Sequence, residues 1–173
     1  MTKALVALGA NLGNPRQQVI DALLALSRHP ALDVLDVSSL YSSAPMGPQD
    51  QPNYINAVCV VDSALAAFDT LQLLHHIEDQ FGRQRIRHWG ERTLDLDLLV
   101  YGDTYSDDEA MRLPHPGLYE REFVLYPLAE IQSDWILPNG VSAIQQARQV
   151  PKNGLRVVFS RDDLLKTLTE GGQ

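Results

Sequence analysis

Ten residues, His88-Trp89-Gly90-Glu91-Arg92-Thr93-Leu94-Asp95-Leu96-Asp97, join a cationic, aromatic loop to two carboxylates spaced for a strand. A strand over 93–101 would put Asp95 and Asp97 on one face and Leu94, Leu96, Leu98 and Val100 on the other, toward a core. The two carboxylates then stand roughly 6.5–7 Å apart along the chain. That spacing suits hard cations about 3.5–4 Å apart, as in two-metal phosphoryl-transfer sites. Oxygen ligands without sulfur neighbours favour magnesium over zinc. The same Asp-x-Asp spacing also describes the wet face of an ordinary amphipathic strand. The local charge tips the balance. The whole chain is net −8, yet residues 82–92 carry Arg83, Arg85, Arg87 and Arg92 against one acid, Glu91, a local balance of +3. A cationic loop leading into two metal-grade carboxylates is what a magnesium–polyphosphate complex needs. Nucleic acid fits poorly, because the patch is short and the rest of the chain repels a polyanion.

The elements that must position this loop and dyad follow from periodicity. At 173 residues and 45% hydrophobic, the chain supports one ordinary globular domain, read as residues 1–160 with a frayed tail over 161–173. Residues 3–8 read as a buried strand, and Gly9-Ala10-Asn11-Leu12-Gly13 as a tight loop. Asn14 and Pro15 open a helix carrying Val19, Ile20, Leu23, Leu24 and Leu26, which ends near His29-Pro30. A strand is expected over 33–41, then a polar loop over 42–53 rich in proline. The next strand covers 54–61, with Tyr54, Asn56, Val58 and Val60 on one face. A helix from about Phe68 through Leu71, Leu74, Ile77, Glu78 and Phe81 is capped by Gly82. With the 93–101 strand, the order is βαββαβ. This is the α+β, ferredoxin-like arrangement, with a mostly antiparallel sheet and helices packed on a face. The C-terminal extension is less regular. It reads as a hairpin or loop over 102–108, short helices over 119–125 and 141–147, a strand over 155–159 and a short helix from Asp162.

Several features are set aside. The single Cys59 excludes an internal disulfide and a cysteine zinc cluster, which points to a reduced, cytoplasmic setting, and it reads as a small core residue. The apolar run Ala4–Leu8 is too short for a signal core or a membrane span. Gly9–Gly13 lacks the Gly-Lys-Ser/Thr ending of a nucleotide loop and reads as a structural turn. His75 and Asp79 fit a surface i, i+4 pair better than a metal site. Trp135 reads as a packing residue.

In chain order, the landmarks are Gly9-Ala-Asn-Leu-Gly13, the loop Pro45-Met-Gly-Pro-Gln-Asp-Gln-Pro52, Tyr54-Ile-Asn56 and Glu78-x-x-x-Gly82-Arg83. The Trp89–Asp97 signature, Pro114-His115-Pro116 and Arg121-Glu-Phe123-Val-Leu-Tyr-Pro127-Leu follow. Together they resemble the 6-hydroxymethyl-7,8-dihydropterin pyrophosphokinase family of folate biosynthesis over nearly the whole domain. The resemblance implies transfer of diphosphate from ATP to the pterin hydroxymethyl group, with release of AMP. It implies two magnesium ions on Asp95 and Asp97. Nucleotide contacts would come from Glu78, Arg83, Arg92, Leu98, His115 and Arg121. Trp89 and Arg92 would belong to a mobile catalytic loop, with Arg83, Trp89, Arg92, Asp95 and Asp97 serving catalysis. The pterin would lie between Tyr54 and Phe123, read by Asn56, by the Ser43-Ala44-Pro45-Met46 backbone, and by Trp89 and Asp95.

Two positions depart from the family pattern. Gly90-Glu91-Arg92 stands where Gly-Pro-Arg is usual, and His88 where arginine is common; the stretch between Arg85 and Trp89 is also slightly short. These changes touch the loop, not the dyad. Activity is therefore expected with altered loop kinetics or weaker ATP affinity, and Glu91→Pro is expected to tighten ATP binding or speed closure. The competing reading is a ferredoxin-like binding module that keeps pterin or nucleotide affinity without turnover. The expected partners are the two small substrates, with no nucleic acid, no membrane and a monomeric chain.

Overall fold

The computed structural model describes residues 1–45, 52–81 and 94–171. Strand β1 (Thr2–Ala10) leads to helix α1 (Pro15–Arg28), whose Asn14 side chain caps the Gln17 N–H at 3.2 Å. Strands β2 (Leu32–Val37), β3 (Leu40–Ser43) and β4 (Tyr54–Ser63) follow, then helix α2 (Ala67–Gln80) and strand β5 (Asp95–Tyr101). A small hairpin, β6 (Ser106–Asp108) and β7 (Met111–Leu113), precedes α3 (Glu122–Ile131), α4 (Ala143–Arg148), β8 (Arg156–Phe159) and α5 (Arg161–Gly171). The main sheet has the order β5-β1-β4-β3-β8, with β2 also on β4, and its strand pairs are antiparallel. The chain thus has the expected α+β arrangement, with β1 and β4 central and β5 at an edge.

Both faces of the sheet are covered. Ala4, Val6 and Leu8 of β1 and Leu94, Leu96 and Leu98 pack with Leu23, Leu26, Leu74, Ile77 and Leu164, under α1, α2 and α5. Leu5, Val58, Val60, Leu99 and Val100 pack on the opposite face with Val124, Leu125, Leu128, Ala143 and Ala147 of α3 and α4. The βαββαβ core therefore supplies α1 and α2 of one helical layer, and the C-terminal extension adds α5 to it and supplies the second layer, α3 and α4. No helix among the described residues is long and apolar enough to cross a membrane.

Four expectations change in detail. The 33–41 strand is two strands, because Ser38 interrupts the ladder. Its hydroxyl accepts the Val58 N–H at 2.9 Å, while its own N–H donates to the Val58 carbonyl at 2.9 Å. Val100 does not follow Leu94, Leu96 and Leu98. Leu5 pairs with Val100 and Val6 with Leu98, so Leu99 is an extra residue, a bulge that turns Val100 to the Asp95–Asp97 face. Helix α3 runs through Pro127, where burial of Val124, Leu125 and Leu128 offsets the missing backbone bond. The end of the chain is a helix, in line with the short helix expected from Asp162 and not with a frayed tail. Leu164 is fully buried, and Arg161 donates to the Asp36 carboxylate at 2.6 Å and to the Val37 carbonyl at 3.1 Å. The expected Gly82 cap lies outside the described residues; Phe81 occupies the C-cap of α2.

Candidate active site

The alternation of β1, β4 and β5 builds the site. On β1, Gly9 pairs with Asn56 on one side and Asp95 on the other, and Ala7 pairs with Val58 and Asp97. One face of three adjacent strands therefore presents an amide, two small residues and two carboxylates in two rows. At the open end of this face lies a cavity of about 140 Å³, lined by Ala7, Gly9, Ser43, Ala44, Tyr54, Asn56, Asp95, Asp97, Arg121 and Phe123. Eight of the expected site residues converge there from β3 and the residue after it, β4, β5, α3 and the loop that enters α3. Asn56 is 5% exposed, and the Ser43 hydroxyl donates to its Oδ1. That bond fixes which way the amide faces. The Arg121 guanidinium lies 5.7 Å over the Phe123 ring. It also lies against Gly117, where a β-carbon would collide with the Arg121 side chain.

A second cavity, of about 320 Å³, opens on the other side of Asp97, beside the exposed edge of β5. Its walls include Leu71, His75, Leu96, Leu98, Arg112 and His115. Asp97 lines both cavities, so the dyad stands at the boundary between two slots. Leu98 and His115, two of the expected nucleotide contacts, both line this slot. His75 lines this slot, whereas its i, i+4 spacing with Asp79 suggested a surface pair. Arg112 carried no signal in the sequence beyond its charge.

His115 is held on two sides. Its backbone N–H donates to the Leu99 carbonyl at 2.9 Å, at the bulge, and its Nδ1 accepts the Gly117 N–H at 3.0 Å. The ring proton of the neutral form therefore sits on Nε2, which faces Asp97 Oδ1 at 3.9 Å. Burial lowers the His115 pKa below the ordinary histidine value; Asp97 opposes this and Arg121 adds to it.

Glu78 stands elsewhere than expected. Its side chain is 3% exposed, on the buried face of α2, and it accepts the Leu96 N–H at 2.8 Å. It lines neither cavity. A helix carboxylate thus holds the backbone between the two aspartates. Pro45 does not line the first cavity; it lines a separate one with Ala44, Arg121 and Phe123. Met46, Arg83, Trp89 and Arg92 lie outside the described residues, as do His88 and Glu91.

The donor set has a chemical signature of its own. Among the described residues, no three His, Cys, Asp or Glu side chains group to form a metal cage. Two partly accessible carboxylates beside a large slot match an ion that keeps one or two protein ligands and takes the rest from phosphate oxygens and water, which is magnesium's habit.

Residues 5–133 match the family model of 7,8-dihydro-6-hydroxymethylpterin-pyrophosphokinase. The chain is 44% identical over 149 residues to the 2-amino-4-hydroxy-6-hydroxymethyldihydropteridine pyrophosphokinase of Haemophilus influenzae, covering 86% of this chain and 93% of that one. It is 46% identical over 138 residues to the protein of the same name from Pseudomonas aeruginosa, covering 80% and 85%. Among solved structures, wild-type Plasmodium falciparum HPPK-DHPS with pteroate superposes at a TM-score of 0.68, with 11% identity, over 86% of this chain. The chain spans 44% of that longer protein, and the likeness is one of fold.

Proposed function

Because this chain belongs to the 7,8-dihydro-6-hydroxymethylpterin-pyrophosphokinase family, we infer that it transfers diphosphate from ATP to 6-hydroxymethyl-7,8-dihydropterin. The hydroxymethyl oxygen bonds to the β-phosphorus. The bond from that phosphorus to the oxygen bridging to the α-phosphate breaks, and its electron pair leaves on AMP. The hydroxyl proton is lost, and the pterin carries the diphosphate away. The observation that carries this reading is the position of Asp97 on the shared wall of two cavities, one lined by Tyr54, Asn56 and Phe123, one larger and bordered by Arg112 and His115.

In this reading the pterin enters the first cavity between Tyr54 and Phe123, and Asn56, oriented by Ser43, reads its edge. The nucleotide takes the second, against Leu98, with His115 and Arg121 toward its phosphates. Asp95 and Asp97 would hold two magnesium ions. Bound magnesium neutralises phosphate charge and orients the chain of phosphates. Catalysis is then mostly positioning and electrostatics, with no covalent enzyme intermediate. From the sequence resemblance, Arg83, Trp89 and Arg92 complete the site by closing over both substrates. The chain acts as a monomer, a reading supported by its own helices covering both sheet faces.

The test is AMP formation from ATP with magnesium, with and without the pterin, on wild type and Asp97→Ala. AMP is expected only with pterin and magnesium, and to fall by about 10²–10³-fold in the variant. A folded wild type that binds pterin but makes no AMP would move the chain to the binding-module reading.

A further inference from the structure

Gly9 lies inside β1, a strand paired on both sides, where glycine is a poor choice. It has no side chain to pack and loses the most conformational freedom on folding. Its backbone lies outside the left-handed region, so the chain path does not require glycine. What remains is space. A β-carbon there would stand 3.2 Å from Asn56 Nδ2, and 3.9 Å from Tyr54 Cδ1. The first separation is tighter than ordinary packing, and the amide has little freedom to yield. Asn56 is 5% exposed, and Ser43 holds its Oδ1 from the other side.

The same face of β1 tapers toward the cavity, from Leu5 in the core through Ala7 to Gly9 at the floor. The floor there is backbone. Side chains on the opposite face show no such decline, with Val6 and Leu8 both large and buried.

We propose that Gly9 is a specificity-determining residue for the pterin. Its missing side chain leaves the Asn56 amide aimed at the ligand edge and lets a planar fused heterocycle lie against the strand. This rests on the pterin reading of the first cavity. A methyl group at residue 9 pushes the amide out of line, and the penalty falls on the pterin alone, because the second cavity does not include Gly9.

The test compares wild type, Gly9→Ala, Ser43→Ala and the double variant. The readouts are KM for pterin, KM for ATP, pterin affinity by fluorescence and Tm. Gly9→Ala is expected to raise the pterin KM and Kd about tenfold or more, the scale of one methylene in a pocket. ATP KM should stay within about twofold of wild type. Tm should stay within a few degrees of wild type, because the gain from replacing glycine on a compatible backbone offsets the strain at the Asn56 amide. In the Ser43→Ala background the amide has already lost the bond that fixes its orientation, so the further Gly9→Ala penalty should shrink. An unchanged pterin KM, an equal rise in both KM values, or a loss explained by a lower Tm overturns the proposal, as does a full penalty in the double variant. Wild type that binds pterin without making AMP refutes only the transfer reading, and the fluorescence arm still decides on Gly9. Wild type that binds no pterin refutes both.

Discussion

Replacing Glu78 separates contact with the nucleotide, which the sequence resemblance implies, from support of the Asp95–Asp97 strand, to which the structure points. Its carboxylate is buried at 3% exposure and accepts the Leu96 N–H at 2.8 Å. Leu96 sits between Asp95 and Asp97 on an edge strand, so this bond covers a backbone donor that no further strand can take. Glu78→Ala deletes a charge-assisted bond, strands the buried N–H and leaves a small void. Those losses sum to about 3 kcal/mol. At roughly 2–4 °C per kcal/mol for a chain of this size, Tm should drop by about 6–12 °C. Glu78→Gln keeps an acceptor and should lose about 1 kcal/mol, or about 2–4 °C.

The kinetic signature follows from geometry. A shift of the Leu96 backbone moves both aspartates, and a misplacement of about 1 Å costs on the order of 10²-fold in rate. Glu78→Ala should therefore lower kcat by about that factor and weaken magnesium activation, with little change in pterin affinity. Steady-state kinetics at several magnesium concentrations, with hydrogen exchange at the Leu96 amide, make the measurement. If Glu78→Ala kept its Tm and its kcat and raised only the ATP KM, the support role would be refuted and a direct nucleotide contact restored.

Two further perturbations probe the frame away from the site. Glu130 accepts from the Ser39 N–H at 2.8 Å, the Ser39 hydroxyl at 2.6 Å and the Tyr41 hydroxyl at 2.9 Å, pinning α3 to β3. Ser39 and Tyr41 are buried but Glu130 is exposed, which screens the loss; Glu130→Ala should cost about 2 kcal/mol, or about 4–8 °C in Tm, with kcat unchanged. Thermal melts with parallel kinetics check both halves. Alkaline stability is the second. Complete burial pushes the Cys59 thiol up to about 12, and burial together with Glu130 raises Tyr41. Both groups stay protonated in the fold while the unfolded chain loses those protons near pH 9 and 10, so the unfolded state binds fewer protons and stability falls as pH rises. Urea unfolding should lose about 1 kcal/mol for Cys59 between pH 9 and 10, and Cys59→Ala should flatten that decline. An identical pH slope in the variant would refute the assignment.

The residues that repeat with a period were legible in the sequence. The stripe Val19, Ile20, Leu23, Leu26 gave α1, and the alternation in β4 put Tyr54 and Asn56 on the face they share with Val58 and Val60. Asp95 and Asp97 could be placed on one face for the same reason. What escaped was set by contacts between distant residues. Ser38 breaks a strand because Val58 is across from it, and Glu78 supports β5 because α2 packs beneath that strand. Neither partner is visible in a local window. Helix α5, expected from Asp162 on, left a local signal in Leu164, Leu165 and Leu168 on one stripe, while the glycines at 171 and 172 made the same stretch read also as a frayed tail.

The bulge at Leu99 explains how one edge strand can serve both a core and a reaction site. Without it, strict alternation would keep Val100 with Leu94, Leu96 and Leu98, and of Leu99 and Val100 only Leu99 would join the Asp95–Asp97 face beneath α3. With the extra residue, Leu99 and Val100 both join that layer, while Asp95 and Asp97 remain at the open end. The Leu99 carbonyl then receives the His115 N–H, which brings the imidazole to the side of Asp97 that borders the second cavity. One inserted residue thus anchors the second helical layer and sets the wall of the second slot. Bulges re-aim side chains beside active sites in this way. The sequence Asp95-Leu-Asp97-Leu-Leu99-Val-Tyr101 carries the hint as three consecutive apolar residues, Leu98, Leu99 and Val100, where a plain two-sided strand would have alternated.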